Sequence, residues 1–155
     1  MLRDKGINAF WSDQYASNLL CRGFEYQGGN ADLVTAFEAL EHFVNSTAEI
    51  ERLTAIAPNI LLTTSLIPSP APLPHQWWYI GLEHGQHIGF FRLRTLACLA
   101  HSLDLHLVLD QSSEHLLSKH PVLMRRWQLI RRIARANLAI LKNGLKLKIW
   151  DDHFK

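Results

Sequence analysis

Short β-rich segments alternate with helical ones along this chain, and residues 31–37 are almost continuously apolar after Asp32. A strand that is apolar on both faces must be covered on both, and that happens in parallel sheets flanked by helices. The alternation therefore predicts an α/β fold, with residues 31–37 as a central buried strand and residues 59–66 beside it.

The other segments fit this frame. Residues 7–12 read as a strand ending at Asp13, and residues 14–22 as a helix stopped by Gly23, since glycine tolerates the left-handed conformation at a helix end. Residues 24–27 form a brief strand before the turn Gly28-Gly29-Asn30. Residues 47–57 predict a helix with Ser46 as N-cap and Glu49 completing a capping box, ended by Pro58. After the proline-dense connection of residues 68–74, residues 93–103 have the spacing of an amphipathic helix. Residues 105–109 and 115–118 flank Asp110-Gln111-Ser112-Ser113 and read as an antiparallel hairpin. Residues 121–143 predict the longest helix, with Pro121 at its first position and Gly144 as its stop. Leu123, Trp127, Ile130, Ala134, Leu138 and Leu141 lie on one side of it, and Arg131, Arg132, Arg135 and Lys142 on the other.

A chain of 155 residues can bury a core of its own. Cys21 and Cys98 are too few for a disulfide framework and match no metal motif, so a reducing, cytoplasmic setting is expected. The start lacks the apolar core of a signal peptide, and prolines interrupt the most apolar region, so no transmembrane segment is expected. Charge is unevenly placed: residues 1–118 hold 6 basic and 12 acidic side chains, and residues 119–155 hold 10 and 2. The chain thus reads as an acidic body and a basic tail; by organisation it divides into a domain of residues 1–119 and a basic amphipathic helix and tail, residues 120–155. No nucleic-acid recognition fold accompanies the basic helix, so nucleic-acid binding is not expected. Packing against the domain or a second subunit, as in a homo-oligomer, suits its apolar stripe better, and contact with a membrane surface is a further option.

Two motifs carry a resemblance. Asp32-Leu33-Val34-Thr35-Ala36-Phe37-Glu38-Ala39-Leu40-Glu41-His42 resembles the D-L-V-x-x-x-E-x-L-E-H strand and turn of many class I S-adenosyl-L-methionine-dependent methyltransferases. Trp77-Trp78-Tyr79, followed by Gly85-Gln86-His87-Ile88 and Phe90, is similar to the W-W-Y … G-Q-H-I-x-F signature of a bacterial subgroup. The resemblance runs from about residue 2 to residue 119. It implies a three-layer Rossmann-like sheet with an antiparallel last strand, the cofactor S-adenosyl-L-methionine, and methyl transfer to a small-molecule, sugar or lipid-linked acceptor. It also implies that the first strand and its glycine-rich turn are missing ahead of residue 2, because no such motif occurs here. A non-catalytic methyltransferase-like fragment or partner that no longer binds the cofactor is the alternative. Either way, a gap in the sheet leads to the expectation of weak cofactor binding and self-association.

The resemblance aligns Asp13 with the carboxylate that accepts hydrogen bonds from the cofactor ribose; the local sequence by itself favours Asp13 as the cap of a helix beginning at Gln14. Phe37 and Glu38 fall at the carboxyl end of a parallel strand, where α/β sheets place their sites. Glu38 suits orienting the cofactor amino group or a substrate hydroxyl, or simply a helix start. His87 is a candidate general base, with a structural role for Gln86 and His87 as the plain alternative. Trp77, Trp78, Tyr79, Gln86 and His87 are the candidate substrate wall; for the aromatics, the competing reading is burial beneath the proline loop. No metal site is expected: His84 and His87 would need ligands from elsewhere, such as Glu83 or His42.

Overall fold

The computed structural model describes residues 2–13, 15, 22–83, 85–109 and 113–135. The chain divides into two compact units, residues 29–127 and residues 1–28 with 128–155.

The unit of residues 29–127 is an α/β structure built on β1 (Val34–Phe37), β2 (Asn59–Thr63), β3 (His106–Leu109) and β4 (Glu114–Ser118), in the spatial order β1-β2-β4-β3. β1 runs parallel to β2, with Val34 opposite Ile60 and Phe37 opposite Thr63. β4 lies antiparallel between β2 and β3, with Leu61 opposite Leu116 and Val108 opposite Leu116. The expected hairpin is therefore present, and β4 is inserted beside β2. The expected central strand is corrected: only residues 34–37 of 31–37 form a ladder, and β1 is an edge strand of this sheet. Its side chains alternate between half-buried and exposed, with Leu33 and Phe37 about half exposed. An apolar run does not distinguish a doubly covered strand from an edge strand that faces a cleft.

Helix α1 (Ser46–Ile56) links β1 to β2, and α2 (Leu93–Ser102) precedes β3. The N-cap of α1 is Asn45, whose side chain accepts from the Ala48 amide at 3.1 Å, one residue before the Ser46 expected from the sequence. Asn and Ser cap about equally well, and Glu49 pairs with Arg52 at 3.1 Å rather than closing a capping box. Ala57 is extended, as a residue before proline should be. Leu96, Leu99 and Ala100 of α2, with Leu103 at its C-cap, recur at helical spacing and meet Ile50, Ile60, Leu62, Leu105 and Leu117 in the main core. Each fully buried Leu or Ile there contributes about 1.5–3 kcal/mol. Because side chains alternate along a strand, Leu61, Val108 and Leu116 form a second cluster with Trp127 and Val122.

Helix α3 is described over Met124–Arg135, starting three residues after the Pro121 start expected from the sequence, and its continuation to residue 143 lies outside the described residues. The expected stripe is also corrected. Trp127 and Arg131, one turn apart, are its buried positions, whereas Leu123 and Ile130 are 75% and 50% exposed. A long arginine can bury its stem as readily as a leucine. No helix among the described residues is long and apolar enough to cross a membrane.

In the unit of residues 1–28 with 128–155, a 3-10 turn (Arg3–Lys5) ends at Gly6 in the left-handed conformation. The Arg3 guanidinium lies 3.8 Å from the centre of the Phe24 ring and donates to the Asn8 side chain and the Ala9 carbonyl, both at 3.1 Å. Residues 7–12 and 24–27, read as strands, meet in one parallel bridge, Trp11 to Glu25, held by two backbone hydrogen bonds. The helix expected over residues 14–22 lies almost wholly outside the described residues, as does Cys21; Cys98 is exposed.

Candidate functional site

The carboxyl ends of the parallel strands β1 and β2 bring several candidates together. Phe37 ends β1 and is 55% exposed. Glu38 follows in the left-handed region, at φ 47°, an uncommon conformation for a residue with a side chain. Thr63, opposite Phe37 on β2, holds it there. The Glu38 amide donates to Thr63 Oγ1 at 2.8 Å, and that hydroxyl donates to Glu38 Oε1 at 2.9 Å.

The chain then turns through a 3-10 segment, Leu40–His42, in which Leu40 and Glu41 are fully buried and His42 is exposed. The carbonyl of Glu41 accepts from the amides of both Ile88 and Gly89 at 2.9 Å, pinning the candidate substrate loop to the end of β1. Gly89 suits this approach: a Cβ there would come within 3.3 Å of the Phe91 ring and 3.6 Å of the Glu41 carbonyl. His42 Nδ1 lies 2.8 Å from the Gln86 carbonyl, and His87 Nδ1 bonds to the Tyr79 carbonyl. The two imidazoles meet edge to face, with centroids 4.9 Å apart. Glu41, His42 and His87 each offer a ligand atom within 4.8 Å of the others.

Behind this surface the polar groups continue inward. Thr64, fully buried, shares a hydrogen bond with the Tyr79 hydroxyl at 3.1 Å, and its carbonyl accepts from His115 Nε2 at 3.2 Å. Burial pushes the Tyr79 phenol up to about 12, against hydrogen bonds from Thr64 and Ser65 that lower it; the nearby Glu41 carboxyl adds to the rise. That carboxyl acts on Tyr79 as a hydrogen-bonding neighbour first and by its charge second, although neither of its oxygens has a hydrogen bond of regular geometry among the described residues. Burial likewise holds His115 below the ordinary imidazole value.

Of the expected substrate wall, Trp78 is 80% exposed, Gln86 is exposed, and Trp77 and His87 are half-buried. Tyr79 is 1% exposed and follows the packing alternative, with its ring 4.5 Å from that of His87 and 5.3 Å from that of Trp77. His84 lies outside the described residues. Asp13 belongs to the other compact unit, where its Oδ1 accepts from the Tyr15 amide at 2.8 Å; the helix it was expected to cap lies almost wholly outside the described residues. Sequence reasoning passed over Thr63, Thr64 and the Glu41 side chain. The E-x-x-E-H spacing was the available signal for the last of these; the two threonines gave none beyond ending a β-rich run.

A family model described as a methyltransferase domain matches residues 3–110, more than two-thirds of the chain. No curated protein and no solved structure matches it.

Proposed function

The chain belongs to the methyltransferase-domain family and is by that resemblance a methyltransferase; from this premise we propose that it takes S-adenosyl-L-methionine as methyl donor and methylates a small-molecule, sugar or lipid-linked acceptor. In this reading the sheet is that of a Rossmann-like class I domain, which the parallel β1–β2 pair and the antiparallel insertion of β4 support.

The observation that carries the reading is the strained Glu38 beside the exposed Phe37. A left-handed glutamate fixed by Thr63 at the end of a parallel pair costs backbone energy, and such strain gathers where a side chain must be held ready. A carboxylate next to an open aromatic face fits a ligand that joins positive charge to a flat heterocycle, as this cofactor does. When bound, the cofactor supplies a methyl group activated on a sulfonium. Glu38 would orient its amino group or an acceptor hydroxyl, and Phe37 would cover its apolar surface. Gln86 and His87, held by the His42 ring at the Gln86 carbonyl and by the Tyr79 carbonyl at the His87 ring, would face the acceptor, with His87 available as a base. Trp78 would lend an exposed ring to a sugar or lipid-linked acceptor. Asp13 remains the candidate for the ribose hydroxyls.

Calorimetric titration of S-adenosyl-L-methionine into the chain tests this. Binding is expected to weaken at least tenfold in Glu38→Ala and in Phe37→Ala, with the fold retained. Affinity unchanged in both variants would remove the site from the end of β1.

A further inference from the structure

The Glu41 side chain is 0% exposed, and neither carboxylate oxygen has a hydrogen bond of regular geometry among the described residues, the Tyr79 phenol lying beside it. A buried carboxyl so poorly satisfied costs several kcal/mol unless something compensates it. The neighbouring histidines are already oriented for a compensating role. A backbone carbonyl can only accept, so each Nδ1 carries the ring proton, donated by His42 to Gln86 and by His87 to Tyr79. In the neutral ring that leaves Nε2 with its lone pair, the tautomer and outer hydrogen bond usual for a metal-bound histidine.

We propose that Glu41, His42 and His87 bind one divalent transition-metal ion, through the Glu41 carboxylate and Nε2 of both imidazoles. The three residues offer ligand atoms within 4.8 Å of one another. Bonds of about 2.0–2.2 Å to a common ion would bring neighbouring ligand atoms to about 3 Å, a closure that side-chain rotation supplies. Two imidazoles and one carboxylate suit zinc, manganese, iron(II) or cobalt(II) better than magnesium or calcium, which favour all-oxygen sites. The backbone of Glu41 anchors residues 88 and 89 while its side chain would anchor the ion, so ion and loop would order each other.

Three protein ligands leave coordination positions open, and the exposed His42 places them at the surface where the acceptor would come. The use of the ion rests on the methyl-transfer reading above. An acceptor hydroxyl held on the ion would lose its proton more readily, the proton passing to solvent, since Nε2 of His87 would then be a ligand and not a base. Its oxygen lone pair then bonds the methyl carbon as the carbon–sulfur bond breaks, leaving that bond's electrons on sulfur.

The test strips the full chain with a chelator and titrates it with zinc, cobalt(II) and magnesium, by calorimetry and by cobalt(II) visible absorption. One ion per chain is expected, with magnesium at least tenfold weaker than zinc. Glu41→Gln, His42→Gln and His87→Gln should each weaken cobalt(II) binding at least tenfold. Glu41→Gln replaces the buried carboxylate with an uncharged group of the same shape, so the metal-free melting temperature should hold or rise, separating ligand loss from unfolding. His42 is exposed, so His42→Gln decides the matter if a buried variant does not fold. No binding by the wild-type chain, or binding that all folded variants retain within twofold, overturns the proposal. Neither cofactor nor acceptor is present in these titrations, so their failure is distinct from failure of the methyl-transfer reading.

Discussion

Thr63 Oγ1 accepts from the Glu38 amide at 2.8 Å and returns its proton to Glu38 Oε1 at 2.9 Å, so one hydroxyl fixes both the backbone and the carboxylate of its neighbour. The pair spans the ends of the parallel strands, where Thr63 lies opposite Phe37. Glu38 has a positive φ of 47°, which glycine would adopt without steric cost. Glu38→Gly should therefore leave stability unchanged or raise it by up to about 1 kcal/mol, while cofactor affinity falls at least tenfold. Denaturant unfolding and calorimetry read the two effects separately. A variant both less stable and fully binding would assign Glu38 a purely structural role.

Tyr79 closes the interior side of the same region. Tyr79→Phe removes the partner of the buried Thr64 hydroxyl and should cost about 1–2 kcal/mol. The phenol's value of about 12 lies above the ordinary 10.0, so between those limits the unfolded chain has lost a proton that the folded chain keeps. Stability contributed by the neutral phenol is thus present below pH 10 and is lost as pH rises toward 12. Unfolding followed from pH 8 to 11 should fall more steeply for the wild type than for Tyr79→Phe. Parallel slopes would show that the phenol is not held neutral by the fold.

The hairpin β3–β4 and the helices α1 and α2 were legible because their periodicities point to one buried face, as Leu96, Leu99 and Ala100 do on α2. The position of β1 was not. Residues 31–37 read as buried on both faces, but only pairing partners decide whether a strand is central, and these come from distant sequence. Phe37 and Glu38 were visible as a strand end. Glu41 was not visible as an interior group, since a carboxyl in a short helical turn usually faces water, and here the loop of residues 88–89 folds over it. Thr63 and Thr64 became meaningful only once β2 had neighbours on both sides.

His115 is expected to make the sheet sensitive to acid. Its ring is 0% exposed and Nε2 bonds to the Thr64 carbonyl, while Nδ1 has no partner among the described residues. Burial lowers its pKa below 6.5, so on acidification the unfolded chain takes up the proton first. The neutral ring's contribution is complete above pH 6.5 and is lost as pH falls from there toward the depressed folded value. Denaturant midpoints measured from pH 7.5 to 5 should decline for the wild type. The decline should be shallower for His115→Gln, which is neutral throughout but less stable at pH 7.5. An equal decline in both would place the acid sensitivity in another group.

Trp127 decides which face of α3 is buried. It packs against Val108, Leu116 and Leu61 on the second face of the sheet, and it is 9% exposed. Leu123 precedes it by one turn and is 75% exposed, although the two fall on the same stripe of a helix extended back to Pro121. Because α3 begins only at Met124, Leu123 is outside the helix and free of that stripe. Trp127→Ala should cost about 3–5 kcal/mol through lost burial and a cavity beside β4. Leu123→Ala should change stability by no more than about 0.5 kcal/mol, as a surface substitution does. Urea unfolding of the two variants, read by far-ultraviolet circular dichroism, makes the comparison. Similar losses in both would mean that the apolar stripe is buried as a whole, with Leu123 part of the same helical face.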